Sequence, residues 1–251
     1  LTVIVRSDEM QEIIDIHAHV LPGLDDGAAD MEEAKAMLKM AYSQGIRKII
    51  VTPHYKRGQD PGQIMELSRK LQREARKIHR RFNIYLGQEI LYCEDILENL
   101  KEKKALTMCG SHYVLIEFPP LVTYSRLLQG LRKIILARYV PILAHVERYL
   151  CLREKGRVKE LINSGCILQM NYCSIAGSRF NRQVRWCRLQ IQQGNIHMLG
   201  TDMHHLKERT PEIEKALLWI KKNCSMEMYQ SLTGNYALNL LKKDNNKQEY
   251  K

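Results

Sequence analysis

The sequence predicts an α/β fold, a TIM-like barrel built on seven parallel strands. Short apolar, β-branched runs alternate with longer amphipathic stretches along the 251 residues, with no internal repeat or low-complexity linker between them. Such alternation implies parallel strands joined by right-handed crossovers. Histidines and carboxylates gather at the C-terminal ends of the apolar runs, the end at which barrels build their active sites. Seven strand–helix units in a chain of this length suit a barrel, with an open doubly wound sheet as the alternative.

The first strand is Ile13-Ile14-Asp15-Ile16-His17-Ala18-His19-Val20. Asp30-Met31-Glu32-Glu33 carries a capping-box pattern, and Ala34, Met37, Leu38, Ala41 and Tyr42 follow at helical spacing until Gly45 ends the run. A second strand is predicted over 48–52. Pro61 opens a helix with Ile64, Leu67, Leu71, Ala75 and Ile78 on one face and basic residues opposite. The third strand is predicted as one piece over 83–90. The fourth covers 113–118 and precedes a helix near 124–137; the fifth covers 140–146 and precedes a helix near 154–164. The sixth covers 166–171, with a helix near 180–193, and the seventh covers 196–201, with helices running on to about Leu241. The expected organisation is an N-terminal extension over 1–12, a single domain over 13–241 and a polar tail over 242–251.

A hydrophobic content of 45% is ordinary for a globular protein, and the longest apolar runs fall far short of a membrane span. Leu1-Thr2-Val3-Ile4-Val5 is too short for a signal-peptide core and no small-residue cleavage site follows, so a cytoplasmic location is expected. Seven cysteines without a Cys-x-x-Cys pair argue against a disulfide framework and a zinc ribbon. The net charge of +11 points to an acidic partner: nucleic acid, anionic lipid or a phosphorylated peptide. A basic surface with no specific role is the plainer alternative.

His17 and His19 lie two positions apart in a strand, so both point to one face, where two neutral imidazoles can grip one metal ion. Taken alone, the pair is a moderate signal, with ordinary strand residues as the lesser alternative, and the later strands decide. Asp25 and Asp26 follow in the loop beyond the first strand. The second strand ends Thr52-Pro53-His54, the third Gly87-Gln88-Glu89, the fourth Ile116-Glu117 and the fifth Ala144-His145. The seventh ends Thr201-Asp202-Met203-His204, with Asp202 and His204 sharing a face. A candidate ligand at the end of six of the seven strands is hard to attribute to chance. Imidazoles and carboxylates without a thiolate suit Mn, Fe or Zn in a catalytic cluster. Nine ligands exceed the needs of one ion, so two or three metals are implied. Multinuclear sites of this kind clamp phosphoester oxygens and generate hydroxide at neutral pH. His79, His112, His197 and His205 are out of phase with the array or distant from it and read as structural or surface residues.

Ile-Asp-Ile-His-Ala-His, the Leu24-Asp25-Asp26-Gly27 turn, Thr-Pro-His, Gly-Gln-Glu-Ile, Leu-Ile-Glu-Phe, Ala-His-Val-Glu-Arg and Thr-Asp-Met-His-His occur in that order. Together they resemble the polymerase-and-histidinol-phosphatase (PHP) superfamily. Within it they are most similar to the bacterial manganese-dependent protein-tyrosine phosphatases of capsule and exopolysaccharide operons, over about 13–241. The resemblance implies a distorted (β/α)7 barrel, the PHP fold, with a trinuclear site. It implies His17, His19, Glu89 and Asp202 on a first metal; Glu89 bridging to a second, with Glu117 and His145; and Asp26, His54 and His204 on a third. Choosing Asp26 over Asp25 rests on the family pattern alone. The resemblance also implies that Arg148 and Arg209 bind the phosphate or the phosphotyrosine, a task that guanidinium forks fit. Strand geometry would not by itself have placed Arg148 there, three residues past His145.

The implied reaction is direct hydrolysis by a metal-activated hydroxide, without a phosphoenzyme. The implied cofactor is Mn, as two or three ions, with Fe, Zn or Co as alternatives. The implied substrate is the phosphotyrosine-bearing tail of a bacterial tyrosine kinase that controls polysaccharide assembly, an anionic partner that a +11 chain would attract. Arg179, Arg182, Arg185 and Arg188 recur every three residues after the sixth strand. The first of them are expected to steer that tail, with a solvated helix face as the alternative. Members of the family start only a few residues before His-x-His, so Met10 is an alternative start to Leu1. Neither membrane insertion nor an appended nucleic-acid-binding region is expected, and a homo-oligomer is left open.

Other PHP phosphoesterases, a histidinol phosphatase or a nuclease-like domain, are the near alternatives. A cysteine-dependent tyrosine phosphatase is a distant one, since it needs Cys-x5-Arg. Cys151 to Arg157 reads as the charged start of a helix. Cys173 to Arg179 lies between a strand and a helix, but it lacks a preceding His and a following Ser or Thr. An amidohydrolase barrel also begins with His-x-His but fits Asp26, Glu89, Glu117 and the Asp-x-His pair poorly. A non-enzymatic binding module would need broken ligands, and none is broken.

Overall fold

The computed structural model describes residues 12–242. The predicted N-terminal extension and polar tail lie outside the described residues, but for Glu12 and Lys242. The chain opens with β1 (Ile13–Ala18), α1 (Met31–Ser43), β2 (Ile46–Val51), α2 (Pro61–Ile78), β3 (Asn83–Leu86), β4 (Glu89–Leu91) and α3 (Ile96–Lys101). It continues with β5 (Tyr113–Glu117), α4 (Tyr124–Leu136), β6 (Val140–Leu143), α5 (Arg157–Asn163), β7 (Ile167–Asn171), α6 (Cys173–Ala176) and α7 (Arg182–Gln192). It ends with β8 (Met198–Gly200), α8 (Glu214–Asn223), α9 (Met226–Gln230) and α10 (Leu238–Leu241). Among the described residues no helix is long and apolar enough to cross a membrane.

Local chemistry explains the helix starts. Asp30 caps α1 by accepting from the Glu33 N–H at 2.9 Å, while the Glu33 carboxylate reaches back to the Ala29 N–H at 2.9 Å. Asp60 caps α2, whose first residue is Pro61, and Ile64, Leu71 and Ala75 are buried along its inner face. Asn181 caps α7 through the N–H groups of Gln183 and Val184.

All strand pairs are parallel, in two runs, β1-β2-β3 and β4-β5-β6-β7-β8. Backbone bonds carry the ring across both seams. His19 N–H donates to Met203 and Asp202 N–H to His17, joining β1 to the chain beyond β8. Gly87 N–H donates to Val51 and Glu89 N–H to Pro53, joining the chain beyond β2 to β4. The result is the distorted, seven-position barrel arrangement that the sequence predicts, its strands remaining in two sheets linked by these bonds, with β3 and β4 sharing the third position. Ile14, Ile16, Ile50, Leu115, Ile142, Ile167 and Met198 fill its interior, closed below by Met108, Ala237 and Leu240. A larger apolar layer lies between the strands and the helices.

Two predicted strands are corrected. The third is broken, because the segment around Met108 wedges beside it: a Cβ on Gly87 would sit 2.5 Å from Met108 Sδ, and Gln88 accepts from the Leu106 N–H at 2.9 Å. The fifth stops at Leu143, and His145 turns into the left-handed region with φ 32°. A 3-10 turn over Val146–Arg148 follows, and the chain doubles back. α3 and α6 are additional to the predicted helices.

Candidate metal centre

All nine predicted ligands converge at the C-terminal ends of the strands. β1 loses its register with β2 between Asp15 and Ala18. Ile14 and Ile16 point into the barrel below this irregularity, and His17 and His19 reach the same interior above it, with their Nε2 atoms 3.2 Å apart. Gly200 permits the close approach of β8, since a Cβ there would lie 2.7 Å from His17 Cβ.

Glu89 is the hub. Its Oε2 lies 3.1 Å from His17 Nε2, 3.1 Å from His19 Nε2 and 3.3 Å from His54 Nδ1, and its Oε1 lies 2.9 Å from His145 Nε2. Glu117 approaches His54 at 3.4 Å and His145 at 3.3 Å. Asp26 approaches His54 at 3.5 Å and His204 at 3.4 Å. Asp202 lies 3.5 Å from His17. The donor atoms form three groups, each within 4.8 Å: His19, Asp26, His54 and His204; His17, His19 and Asp202; and His54, Glu89 and Glu117.

This arrangement fits metal ions. His19 Nδ1 lies 2.8 Å from an Asp25 oxygen, His204 Nδ1 2.9 Å from the Asp202 carbonyl and His17 Nδ1 3.3 Å from Gln169 Oε1. Each of these contacts holds one ring nitrogen and leaves Nε2 facing the cluster, as the outer partners of metal-bound imidazoles do. His204 Nε2 is buried with no hydrogen-bond partner among the described residues. The donor set is all nitrogen and oxygen, which suits Mn, Fe or Zn.

Several supporting residues escape the sequence reading. Asp25 turns inward, accepting from the N–H groups of His54 at 2.9 Å and Gly27 at 3.0 Å as well as meeting His19. Its neighbour Asp26 is left facing the cluster from outside. Gly27 allows the loop to lie on β1, because a Cβ there would fall 2.1 Å from the His19 carbonyl oxygen. Buried Asp15 accepts from the Thr201 N–H at 2.9 Å and hydroxyl at 2.6 Å, tying β1 to β8. β7 is the strand without a predicted ligand, yet Gln169 also accepts from the His145 N–H at 2.7 Å and Asn171 donates to Asp202 at 2.8 Å. Glu147 fixes Asn171 in turn, accepting from its N–H at 3.2 Å and from the Ser174 hydroxyl at 2.7 Å. The available signal was a charge inside an apolar strand for Asp15, and polar residues at period two on β7.

Arg148 and Arg209 stand at the rim, and each donates to Asp202. The turn after His145 brings Arg148 back, and a left-handed Arg209 (φ 51°) closes a tight loop whose carbonyl accepts from the His204 N–H. The predicted basic stripe divides. Arg188 donates to the carbonyls of Ile175 and Gly177 beneath α6, whereas Arg179, Arg182 and Arg185 are exposed. Cys173 starts α6; the residue is exposed, yet the protein atoms packed around its sulfur push the thiol up, the opposite of what a thiolate nucleophile needs. Of the histidines set aside, His205 pairs with Glu33, and His197 Nδ1 accepts from the Leu168 N–H.

The packing of imidazole on carboxylate polarises the cluster. Burial pulls the His19 pKa down, but hydrogen bonds to Asp25 and Glu89 outweigh it and raise the pKa to about 10. His145 rises to about 9, with bonds to Glu117 and Glu89 overcoming burial. His204 falls to about 4, through burial and then the charges of His19 and Arg209. Glu89 is held well below the usual carboxylate range: burial opposes this, but His17, His145 and His19 prevail. Asp202 falls to about 2, with His17, Arg148 and Arg209 overriding burial.

A family model for capsular polysaccharide synthesis proteins, CpsB/CapC, matches residues 13–242. The chain belongs to the CpsB/CapC family. The tyrosine-protein phosphatase CpsB of Streptococcus pneumoniae is 34% identical to it over 213 residues, 81% of this chain and 88% of its own. The tyrosine-protein phosphatase YwqE of Bacillus subtilis is 32% identical over 233 residues, 90% of this chain and 91% of its own. A chain from the crystal structures of these two proteins, described as "unique metal-dependent tyrosine phosphatases", matches this CpsB/CapC chain with a TM-score of 0.82 at 30% identity. That match covers 91% of this chain and 94% of the solved one. A phosphotriesterase homology protein from Escherichia coli, at 10% identity and a TM-score of 0.60, covers 91% of this chain and 98% of its own and shares the fold.

Proposed function

We propose that this CpsB/CapC-family chain is a metal-dependent protein-tyrosine phosphatase, a phosphoric monoester hydrolase. The observation that carries this reading is the gathering of nine imidazoles and carboxylates, with Glu89 meeting four of the imidazoles at the centre and two arginines at the rim. In the ligand assignment we propose, His17, His19, Glu89 and Asp202 hold one ion, and Glu89, Glu117 and His145 a second. Asp26, His54 and His204 hold a third. The shared positions of His19 and His54 in the three donor groups support a continuous cluster. Manganese is the proposed ion, as the resemblance implies, and the all-nitrogen-and-oxygen donor set is compatible with it.

Bound divalent ions stabilise charge on phosphoryl oxygens and lower the pKa of water. The chain's own residues bind and orient. Arg148 and Arg209 are about one-third exposed and take the phosphate oxygens through forked N–H groups. Asp202 sets the spacing of the two guanidinium groups, and Asn171 holds Asp202. The departing tyrosine phenolate, of pKa roughly 10, is a fair leaving group. The proposed substrate is the phosphotyrosine tail of a bacterial tyrosine kinase acting in polysaccharide assembly, in keeping with the +11 charge.

The test is phosphate release from a phosphotyrosine peptide by metal-stripped protein, before and after Mn²⁺ is added, with Cys173→Ser alongside. Activity that returns with Mn²⁺ and persists in the variant is the expected result. Activity indifferent to chelation and lost in Cys173→Ser would overturn the reading. Metal-loaded protein that ignores the peptide but hydrolyses histidinol phosphate or single-stranded DNA would move the chain to another phosphoesterase class.

A further inference from the structure

A groove of about 640 Å³ leaves the arginine end of the metal centre and runs between α6 and the start of α8. Asp202, Arg148 and Arg209 line it where it meets the metal centre, and Lys207 and Lys215 line it too. The groove is therefore continuous with the place where the phosphate is bound. Its volume lies within the roughly 300–1,000 Å³ of sites that enclose whole small molecules, so space remains beyond one phosphate.

The charges along it are not equivalent. Both arginines pair with Asp202, Arg209 also lies 3.7 Å from Asp26, and both are assigned to the phosphate in the phosphatase reading. Lys207 and Lys215 are exposed, come from two different elements, and have no ion-pair partner among the described residues. Two carboxylates, Glu212 and Glu214, share the rim. Glu214 lies in the first turn of α8, where the helix dipole favours its charge. The two ammonium groups thus share the groove with two carboxylates, and with both arginines set against Asp202 its lining carries one net positive charge. Such a surface favours an anion on the chain that leads away from the phosphotyrosine.

We propose that this groove is a substrate subsite that takes the polypeptide flanking the hydrolysed phosphotyrosine, and that Lys207 and Lys215 select an anionic side chain there. The inference rests on the phosphatase reading and adds to it a preference that depends on neighbouring residues. The selected group is a carboxylate or a second phosphotyrosine, which present the same acceptor chemistry to an ammonium.

The experiment compares Mn-loaded protein on three substrates at low ionic strength: free phosphotyrosine, a phosphotyrosine peptide flanked by alanines, and the same peptide flanked by glutamates. Rim ion pairs contribute modestly, a few-fold each, so the glutamate peptide is expected to exceed the alanine peptide in kcat/KM by about five- to twentyfold. The ratio is expected to fall to within about twofold in Lys207→Ala/Lys215→Ala and to reverse in Lys207→Glu/Lys215→Glu. Cys173 lines the same groove and is exposed, which gives a second readout. The glutamate peptide is expected to slow iodoacetamide labelling of Cys173, followed by mass spectrometry, whereas free phosphotyrosine leaves labelling unchanged. Equal turnover of the two peptides by the parent protein, or a preference that survives in the double alanine variant, overturns the subsite and leaves the phosphatase standing. Failure to hydrolyse any of the three substrates overturns both.

Discussion

The candidate metal centre has a buried half and an open half, and they are built differently. His17, His19, Glu89, His145, Asp202 and His204 are at most 2% exposed, whereas Asp26 is 62%, His54 29% and Glu117 17% exposed. Asp25, Gln169 and Asn171 brace His17, His19, His145 and Asp202 in the buried half. Outside the cluster, the exposed Asp26 meets Arg209 at 3.7 Å, a looser contact than those braces. The difference separates two tasks: a rigid floor that fixes where charge is neutralised, and a mouth that admits the substrate.

Substitution of the hub breaks that comparison most severely. Glu89→Gln removes the one carboxylate that four imidazoles share, and a loss of about a thousandfold or more in kcat/KM is expected, the scale of the several kcal/mol that metal sites supply. Metal content by elemental analysis should fall with it. Asp26→Asn, at the mouth, is expected to lose less and to recover as Mn²⁺ is raised. Equal, unrescued losses in the two variants would mean that the halves are not distinct.

Removing a brace tests the floor without touching a ligand. Asp25→Asn keeps the shape but weakens the acceptor that orients His19 and the His54 N–H. A drop of about ten- to a hundredfold in metal affinity is expected, the usual scale for outer partners of metal-bound histidines. A Mn²⁺ titration of activity measures it. An unchanged midpoint would show that the brace serves folding alone.

The floor also carries a pH signature. In metal-stripped protein, His19 and His145 titrate near 10 and 9, above their unfolded value of about 6.5. Their protonation therefore stabilises the folded state fully below pH 6.5, and that contribution is lost as pH rises through 9 to 10. Metal ions need the neutral imidazole, so their stabilisation runs the opposite way. The Tm of stripped protein should fall between pH 7 and 10, while the increase in Tm on adding Mn²⁺ grows over the same interval. Parallel curves with and without metal would contradict this account of the cluster.

Place along the chain, not burial, decided what was legible in the sequence: His54 and Glu117 of the open half stood at strand ends as plainly as the buried ligands. His17, His19, Glu89, His145 and Asp202 stood at the ends of apolar runs, where strand periodicity exposes them, and the barrel followed from the same alternation. Asp26 could not be told from Asp25, because loop turns obey no fixed period; bonds to Gly27, His54 and His19 sort the two. Arg148 lay out of strand phase, since nothing local announced the left-handed His145 that redirects it. The break in the third strand depends on Met108, some twenty residues away and out of reach of any local pattern. Gln169 and Asn171 had the right period but the wrong chemistry for ligands, and their role as braces needs the neighbouring strands in place.

The smallest expected effect lies outside both halves, on the outer basic surface. Arg179 and Arg182 are exposed near the start of α7, whereas Arg188 holds two carbonyls beneath α6. Equal spacing in sequence thus conceals unequal work. Arg179→Glu/Arg182→Glu should raise KM for a multiply phosphorylated peptide a few-fold at low salt, with kcat unchanged, because exposed charges act on encounter rather than on the reaction. The effect should fade near 0.15 M salt, where the screening length is about 8 Å. Arg188→Ala should instead lower Tm, by an amount set by hydrogen bonds worth about 1–2 kcal/mol, and leave the salt dependence of KM alone. A KM that ignores the Arg179 and Arg182 reversals at low salt would confine substrate attraction to the groove and the metal centre, and the remaining basic surface would then be solvated charge without a steering role.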